Sequence, residues 1–362
     1  MRVLFTASAG PAEPFAATPL AWAFRAAGHE VLVAAAPSRA EEVSRTGLPV
    51  TVTGPDSGPR PAVPDYTRPS ASWSSVDDVV DVARRWCPDL VIQDDGSWAG
   101  TVAGAVLGVL VLSHVGGDPG TNQARGIPAS RYAQVVARYG VEPCRDAAAT
   151  VDHWPPSLAV PVTGTRLSAR FVPVDGPGAV PASLLARTAA PRVCVAWDSV
   201  ADQEGLLGTV VEAISTLDAE VVVCGRAVSE LSGALPPAAP LGTLLSTCDA
   251  VVHRGQAYTT LTAAAAGTPQ LLLPSSPGAS MLADRIEEVG AGRRLDADVV
   301  PDGDAGTDLT GYGVAKLLDV PTYGAAARRL QAEIAAQPAP AELVSTLVEW
   351  ARRRDGVVAV AQ

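Results

Sequence analysis

Cys248–Pro274 reads CDAVVHRGQAYTTLTAAAAGTPQLLLP. Ala250–Val252 is an apolar strand, and His253–Arg254–Gly255 is a tight turn. Ala257–Ala266 is a helix of small residues stopped by Gly267, and Pro269–Leu273 is a second buried strand. Strand, glycine turn, helix and strand in such a short span form a βαβ unit, whose helix N-terminus opens at the carboxyl edge of a parallel sheet. Unpaired backbone N–H groups and the helix dipole make that spot attractive to phosphate. Thr259 and Thr260, in the first turn, can add hydroxyl hydrogen bonds. A bland alternative stands beside this one: His253 ends a strand and the helix only packs.

The same alternation extends outward on both sides of the stretch. Upstream, Arg192–Ala196 opens a sheet, followed by a helix over Gln203–Leu217, a strand over Glu220–Cys224 and a helix over Val228–Leu235. Downstream, a helix over Ala279–Val289 precedes a short edge strand, AGRRL, and three helices near Leu309–Leu318, Tyr323–Ala336 and Ala341–Arg353. The first half repeats the plan, with strands Arg2–Ser8, Glu30–Ala36, Pro49–Thr53, Asp89–Gln93 and Val109–Leu112. Helices Phe15–Ala27, Ser38–Arg45, Ser74–Trp86 and Ser97–Leu107 separate them. Gly54–Ser72 reads as a long surface loop. Pro155–Pro191, rich in Pro and Gly, reads as the end of one domain and a linker. At 362 residues the chain is long enough for two domains, each with its own core.

Composition narrows the partners. A formal charge of −11 argues against nucleic acid and against an anionic membrane. The five cysteines form no C-x-x-C pair, and the four histidines show no metal-ligand spacing. Buried free thiols are therefore expected, in a cytoplasmic protein without a resident metal. No apolar run reaches bilayer length.

The stretch resembles the donor-binding motif of the GT-B natural-product glycosyltransferases, roughly H-x-G-G-x-G-T-T-L-T-A-x-x-A-G-x-P-Q-L. His253, Gly255, Thr259, Thr260, Leu261, Thr262, Ala263, Gly267, Pro269, Gln270 and Leu271 match in register. Pro19–Ala35, PLAWAFRAAGHEVLVAA, is similar to the same family's N-terminal signature. The loop before it and the chain's end resemble the angucycline and aromatic-polyketide C-glycosyltransferases. The resemblance implies an α/β GT-B fold: two Rossmann-like domains facing across a cleft, with a last helix crossing back to the first. It assigns 1–175 to an acceptor-binding domain, 190–337 to a nucleotide-sugar domain and 338–362 to the returning helix. It also implies an inverting glycosyltransferase of aromatic polyketide biosynthesis. No cofactor is implied; the co-substrate expected is a TDP-deoxysugar, the acceptor an aromatic polyketide, and a homodimer is admissible.

Site residues follow from the match. His253, Gly255, Gln256, Thr259 and Thr260, with Asp198, Ser199 and Ser280 from two further loops, are the expected donor contacts. Where many members carry a catalytic histidine, this chain has Glu13. Strand ends place His114 and Asp118 beside it as candidate bases, with Asp94, Asp95 and Trp98 on the acceptor side. Four departures converge on the donor. Gln256, Tyr258 and Asp198 stand at family glycines, and no carboxylate follows Pro274 until Asp284. A carboxylate facing a diphosphate repels it. The alternative is thus a repurposed member that has lost donor binding and acts as a partner subunit, or performs sugar-independent acid–base chemistry on a polyketide.

Overall fold

The computed structural model describes residues 1–7, 15–54, 76–94, 98–116, 129–141, 147–162, 164–175, 178–197, 204–225, 239–296, 300 and 303–353. In chain order the first half runs β1 (Arg2–Ala7), α1 (Thr18–Ala26), β2 (Glu30–Ala35), α2 (Pro37–Arg45), β3 (Val50–Val52), α3 (Val76–Trp86), β4 (Leu90–Asp94) and α4 (Ala99–Leu107). It continues with β5 (Leu110–His114), α5 (Ala129–Ala137), β6 (Ala149–Asp152) and β7 (Thr165–Ser168). The second half runs β8 (Arg192–Ala196), α6 (Glu204–Ser215), β9 (Glu220–Cys224), α7 (Leu241–Leu245), β10 (Ala250–His253), α8 (Ala257–Ala266) and β11 (Gln270–Leu272). It closes with α9 (Pro277–Glu288), β12 (Gly292–Arg294), α10 (Asp304–Asp319), α11 (Pro321–Ala336) and α12 (Pro340–Arg352).

These elements build two parallel sheets, ordered β3-β2-β1-β4-β5-β6-β7 and β12-β11-β10-β8-β9. Strands such as Val3–Ala7, Val193–Ala196 and Ala250–Val252 are buried throughout, and apolar but for Thr6, because helices cover both faces of a parallel sheet. Strand order reverses between β1 and β4 in one sheet and between β8 and β10 in the other. Ligands of open α/β sheets bind at such reversals, beyond the carboxyl ends of the strands. The fold is the two-domain Rossmann-like arrangement that the motif implies.

Leu343, Val344, Leu347 and Val348 of α12 are buried in the first sheet's core, alongside Phe5, Leu20 and Phe24. The final helix therefore crosses back to the first half, driven by one apolar face. A second shared core joins the halves: Val115, Trp154, Leu158 and Phe171 pack among Leu261, Leu282, Ile286 and Leu330. Arg285 Nη1 donates to the carbonyls of Leu158 (3.0 Å) and Ala159 (2.7 Å), and Gln337 Nε2 donates to Trp154 O (3.0 Å). These bonds satisfy backbone groups of a segment that must leave one sheet and rest on the other.

The structure corrects several sequence expectations. Pro155–Pro191 is not wholly linker, since β7 lies within it and pairs with β6. Neither strand carries a clear signal: TRLS is a partly exposed edge strand and ATVD is short with a polar end. Helix α5 was not anticipated either. His253 belongs to β10 rather than to the turn after it. Cys194, Cys224 and Cys248 are buried thiols, whereas Cys87, which follows α3, is exposed. The Gly54–Ser72 loop (but for Gly54), the Val228–Leu235 helix and Cys144 lie outside the described residues. Among the described residues no helix is long and apolar enough to cross a membrane, and no group of histidine, cysteine and carboxylate side chains could hold a metal ion.

Candidate active site

At the carboxyl edge of the second sheet, the turn after β10 is built by its own hydrogen bonds. Gly255 N–H donates to His253 Nδ1 (3.1 Å), so the ring proton sits on Nε2, which donates to Gln270 Oε1 (2.9 Å). Gln270 Nε2 reaches Thr260 O at 3.3 Å. One network thus ties β10, β11 and α8 together. His253 is fully buried, and both its nitrogens are satisfied. Burial holds the imidazole neutral, with its pKa lowered to about 4. His253, expected as a donor contact, uses both ring nitrogens to shape the turn.

Gly255 adopts φ +83°, and a Cβ there would lie 2.9 Å from Ala279 Cβ. Glycine lets the start of α8 dock on the start of α9. Ser276 caps α9 by accepting from Ala279 N–H (3.1 Å), a role the sequence reading missed although Ser-Pro before an apolar run signals it. Two helix N-termini consequently converge at one strand edge: the first turn of α8 has no side-chain cap, and in α9, where Pro277 lacks an N–H and Ser276 takes those of Ala279 and Ser280, Gly278 N–H remains. Beside them Arg254, 4% exposed, lies over the Trp197 ring at 5.2 Å, at the reversal between β8 and β10. A buried guanidinium thus lies beside the two helix starts at this reversal.

The other expected donor residues divide. Thr260 Oγ1 donates to Gln256 O (2.8 Å), so its hydroxyl serves the helix. Thr259 is buried in the first turn, Gln256 is the residue preceding α8, and Ser280 is partly exposed in the first turn of α9. Asp284 lies within α9, where it pairs with Arg294 at 2.5 Å. Asp198 and Ser199 lie outside the described residues. Tyr258, at a family glycine, directs its ring onto Phe171 (centroids 6.0 Å, edge-on) and its hydroxyl toward Asp175 Oδ1 (3.4 Å). Asp175 also accepts from Gly242 N–H (2.8 Å) at the start of α7. The tyrosine thus clasps the segment joining the two sheets.

At the first sheet's edge, Asp94 and His114 are register partners on β4 and β5 and leave the sheet on the same side. His114 is 4% exposed, and Nδ1 pairs with Val115 O at 2.8 Å. That bond requires the proton on Nδ1 and leaves Nε2 as the basic nitrogen. Desolvation lowers its pKa to about 4. Trp98, expected on the acceptor side, is partly buried against the α3–α4 cluster. Glu13, Asp95 and Asp118 lie outside the described residues. His153, just beyond β6 and not singled out from sequence, stands beside His114 with ring centroids 5.4 Å apart. From His114 a chain of ring contacts runs through His153 and Phe171 (5.5 Å) to Tyr258, linking the edges of the two sheets.

Residues 208–350 match the family model described as erythromycin biosynthesis protein CIII-like, C-terminal domain, and residues 63–197 match its N-terminal counterpart. The chain is 31% identical to aclacinomycin-T 2-deoxy-L-fucose transferase of Streptomyces galilaeus, over 96% of this chain and 95% of that protein. It is 32% identical to the elloramycin glycosyltransferase ElmGT of Streptomyces olivaceus, over 96% and 97%. Among solved structures, the glycosyltransferase VinC in complex with dTDP superposes with a TM-score of 0.83 at 27% identity, over 98% of this chain and 100% of VinC. The spinosyn rhamnosyltransferase SpnG complexed with spinosyn aglycone gives 0.78 at 28% identity, over 96% and 100%.

Proposed function

Because the chain belongs to the erythromycin biosynthesis protein CIII-like family of GT-B glycosyltransferases, we propose that it moves a deoxysugar from TDP to an aromatic polyketide, with inversion at the anomeric carbon. Residues 190–337 hold the nucleotide, residues 1–175 hold the aglycone, and the helix in 338–362 ties the last segment to the first domain. The observation that carries this reading is the convergence of the α8 and α9 N-termini beside Arg254. Such an array stabilises the charge that grows on a departing diphosphate. The complexes of VinC with dTDP and of SpnG with spinosyn aglycone support a nucleotide and an aglycone as the two ligands.

In the step itself, the acceptor's O–H or activated ring C–H gives its proton to a base. The freed electron pair bonds the anomeric carbon, and the bond from that carbon to the diphosphate oxygen breaks. The leaving electron pair stays on TDP. His114 Nε2 is the base that the geometry favours, with Asp94 beside it; Asp118 and Glu13 are its rivals from the sequence. The loop after Pro274 lacks a carboxylate, and Asp284 is engaged by Arg294. A donor with few hydroxyls to grip suits such a loop.

Binding of TDP tests the reading. A ligand in hundredfold excess over its Kd stabilises the native state by about 2.7 kcal/mol, which raises Tm by a few degrees for a chain of this size. Melting with TDP and UDP should show that shift with TDP. Absence of any shift at millimolar nucleotide, with one appearing in Asp198→Gly/Gln256→Gly, would favour a member that has lost donor binding.

A further inference from the structure

We propose that His153 is the positioning partner of His114, the two imidazoles working as one proton-holding pair across a cavity that has room for a single bridging water. The proposal rests on the reading of His114 as the base. β5 and β6 are parallel neighbours in which His114 pairs with Val151, so His153, two residues on, projects to the same side as His114. Both rings are buried and both line a cavity of about 10 Å³ with Leu20, Phe171 and Pro340. That is space for about one water, which needs two or more polar partners to stay.

The contrast with His253 is informative. A buried histidine in a purely structural role satisfies its nitrogens within the protein, as His253 does through Gly255 and Gln270. Among the described residues no hydrogen bond from the protein satisfies the His153 ring, and none satisfies Nε2 of His114. Both rings meet at the cavity instead. A lone base in this place is poor, because its conjugate acid loses hydration. A second imidazole that accepts a hydrogen bond through the water spreads the charge. Trp154 (6.1 Å, stacked) and Phe171 (5.5 Å, tilted) hold the His153 ring in place.

Among the described residues, few titratable and charged groups face the pair. From β4 comes Asp94; Asp152, at the end of β6, alternates to the opposite face, where it is ion-paired with Arg166 of β7 at 2.5 Å. From the segment after β7 comes Arg170, which lines the cavity. The α1 segment contributes Ala16, Pro19 and Leu20, and α12 contributes Pro340, none of which titrates.

The test uses the full chain, with histidines labelled in ¹⁵N. Only four histidines are present, so each is assigned by its glutamine variant, and no substrate is needed. His153→Phe keeps the ring sandwich and removes both nitrogens; His153→Asn keeps a polar group and covers the case in which the phenylalanine variant does not fold. At pH 7.5 the proposal expects the His114 Nε2 resonance to move in His153→Phe while Nδ1, held by Val115, stays. His153→Asn should give an intermediate position. An unmoved Nε2 in both variants overturns the pair.

A second arm measures turnover of a TDP-deoxysugar with a tetracyclic polyketide aglycone. His114→Gln should lose about a hundredfold in kcat. His153→Phe should lower kcat with KM unchanged and move the acid limb of its pH profile downward. The double variant should be no worse than His114→Gln alone. Full loss in His114→Gln with a native profile in His153→Phe overturns the pair and leaves the base in place. Near-native turnover in His114→Gln removes the base assignment itself.

Discussion

Tyr258→Gly restores the glycine that the family motif carries, and it separates two meanings of that side chain. If the ring obstructs the diphosphate crevice, the substitution opens it. If the ring clasps the joining segment, the substitution loosens the protein and leaves the crevice as it was. The structure favours the clasp, because the ring meets Phe171 and the hydroxyl is directed at Asp175, which also holds the start of α7. Deleting a largely buried aromatic side chain costs about 3–5 kcal/mol in a core. Tyr258 is only partly buried, so a cost of about 3 kcal/mol is reasonable, including glycine's penalty in the first helical turn. At about 2–4 °C per kcal/mol this lowers the apparent Tm by roughly 6–12 °C. Tyr258→Phe keeps the ring and loses one long hydrogen bond, which is worth under about 1 kcal/mol. Thermal melts of the three proteins with and without TDP decide the matter. The clasp predicts a large drop for glycine, a small one for phenylalanine, and the same TDP-induced rise in all three. A TDP-induced rise that grows by several degrees in Tyr258→Gly would refute the argument, as would equal destabilisation by both substitutions.

Two further outcomes are expected. His114, His153 and His253 are buried with pKa values pushed below the usual value near 6.5 by desolvation, to about 4 for His114 and His253. Between pH 6.5 and 4 the unfolded chain binds protons that the native state refuses. Stability is therefore full above pH 6.5 and falls with acid by up to about 1.4 kcal/mol per pH unit for each histidine, about 4 in all. Asp152, raised by burial, opposes this only near the ordinary carboxylate range. Urea melts at steps from pH 7.5 to 5 should show the decline, and a flat profile would contradict it. Leu347→Ala, at a fully buried position of α12 against the first core, should cost about 2–5 kcal/mol. Limited proteolysis should then release the C-terminal helix first; an unchanged melt would mean that α12 contributes little to the first half.

The parallel strands and the βαβ unit were legible because their signals are local. Apolar runs such as Val193–Ala196 and the small-residue helix before Gly267 carry their own period and their own stop. The return of α12 was likewise suggested by one apolar face, Leu343, Leu347 and Trp350, and the family pattern said where that face goes. β6 and β7 escaped, because strands this short are made by their neighbours' hydrogen bonds more than by their own residues.

At the site the division is sharper. Residue types at strand ends nominated Asp94 and His114, since a sheet delivers its carboxyl edge to the ligand whatever the side chains do. Direction and partnership could not be read the same way. That Gly255 and Gln270 take both nitrogens of His253 is visible only in the folded chain. Tyr258 looked like an obstruction until Phe171 and Asp175, more than eighty residues away in the chain, were seen to receive it. His153 had no motif at all, and only the pairing of β5 with β6 sets it against His114. The sequence alone determined which elements form and in what order, because propensity, period and capping act within a few residues. Which side chains meet, and whether a buried nitrogen is spent on the fold or left for chemistry, was decided only by tertiary structure, because hydrogen bonds and ring contacts depend on distances that chain separation does not record.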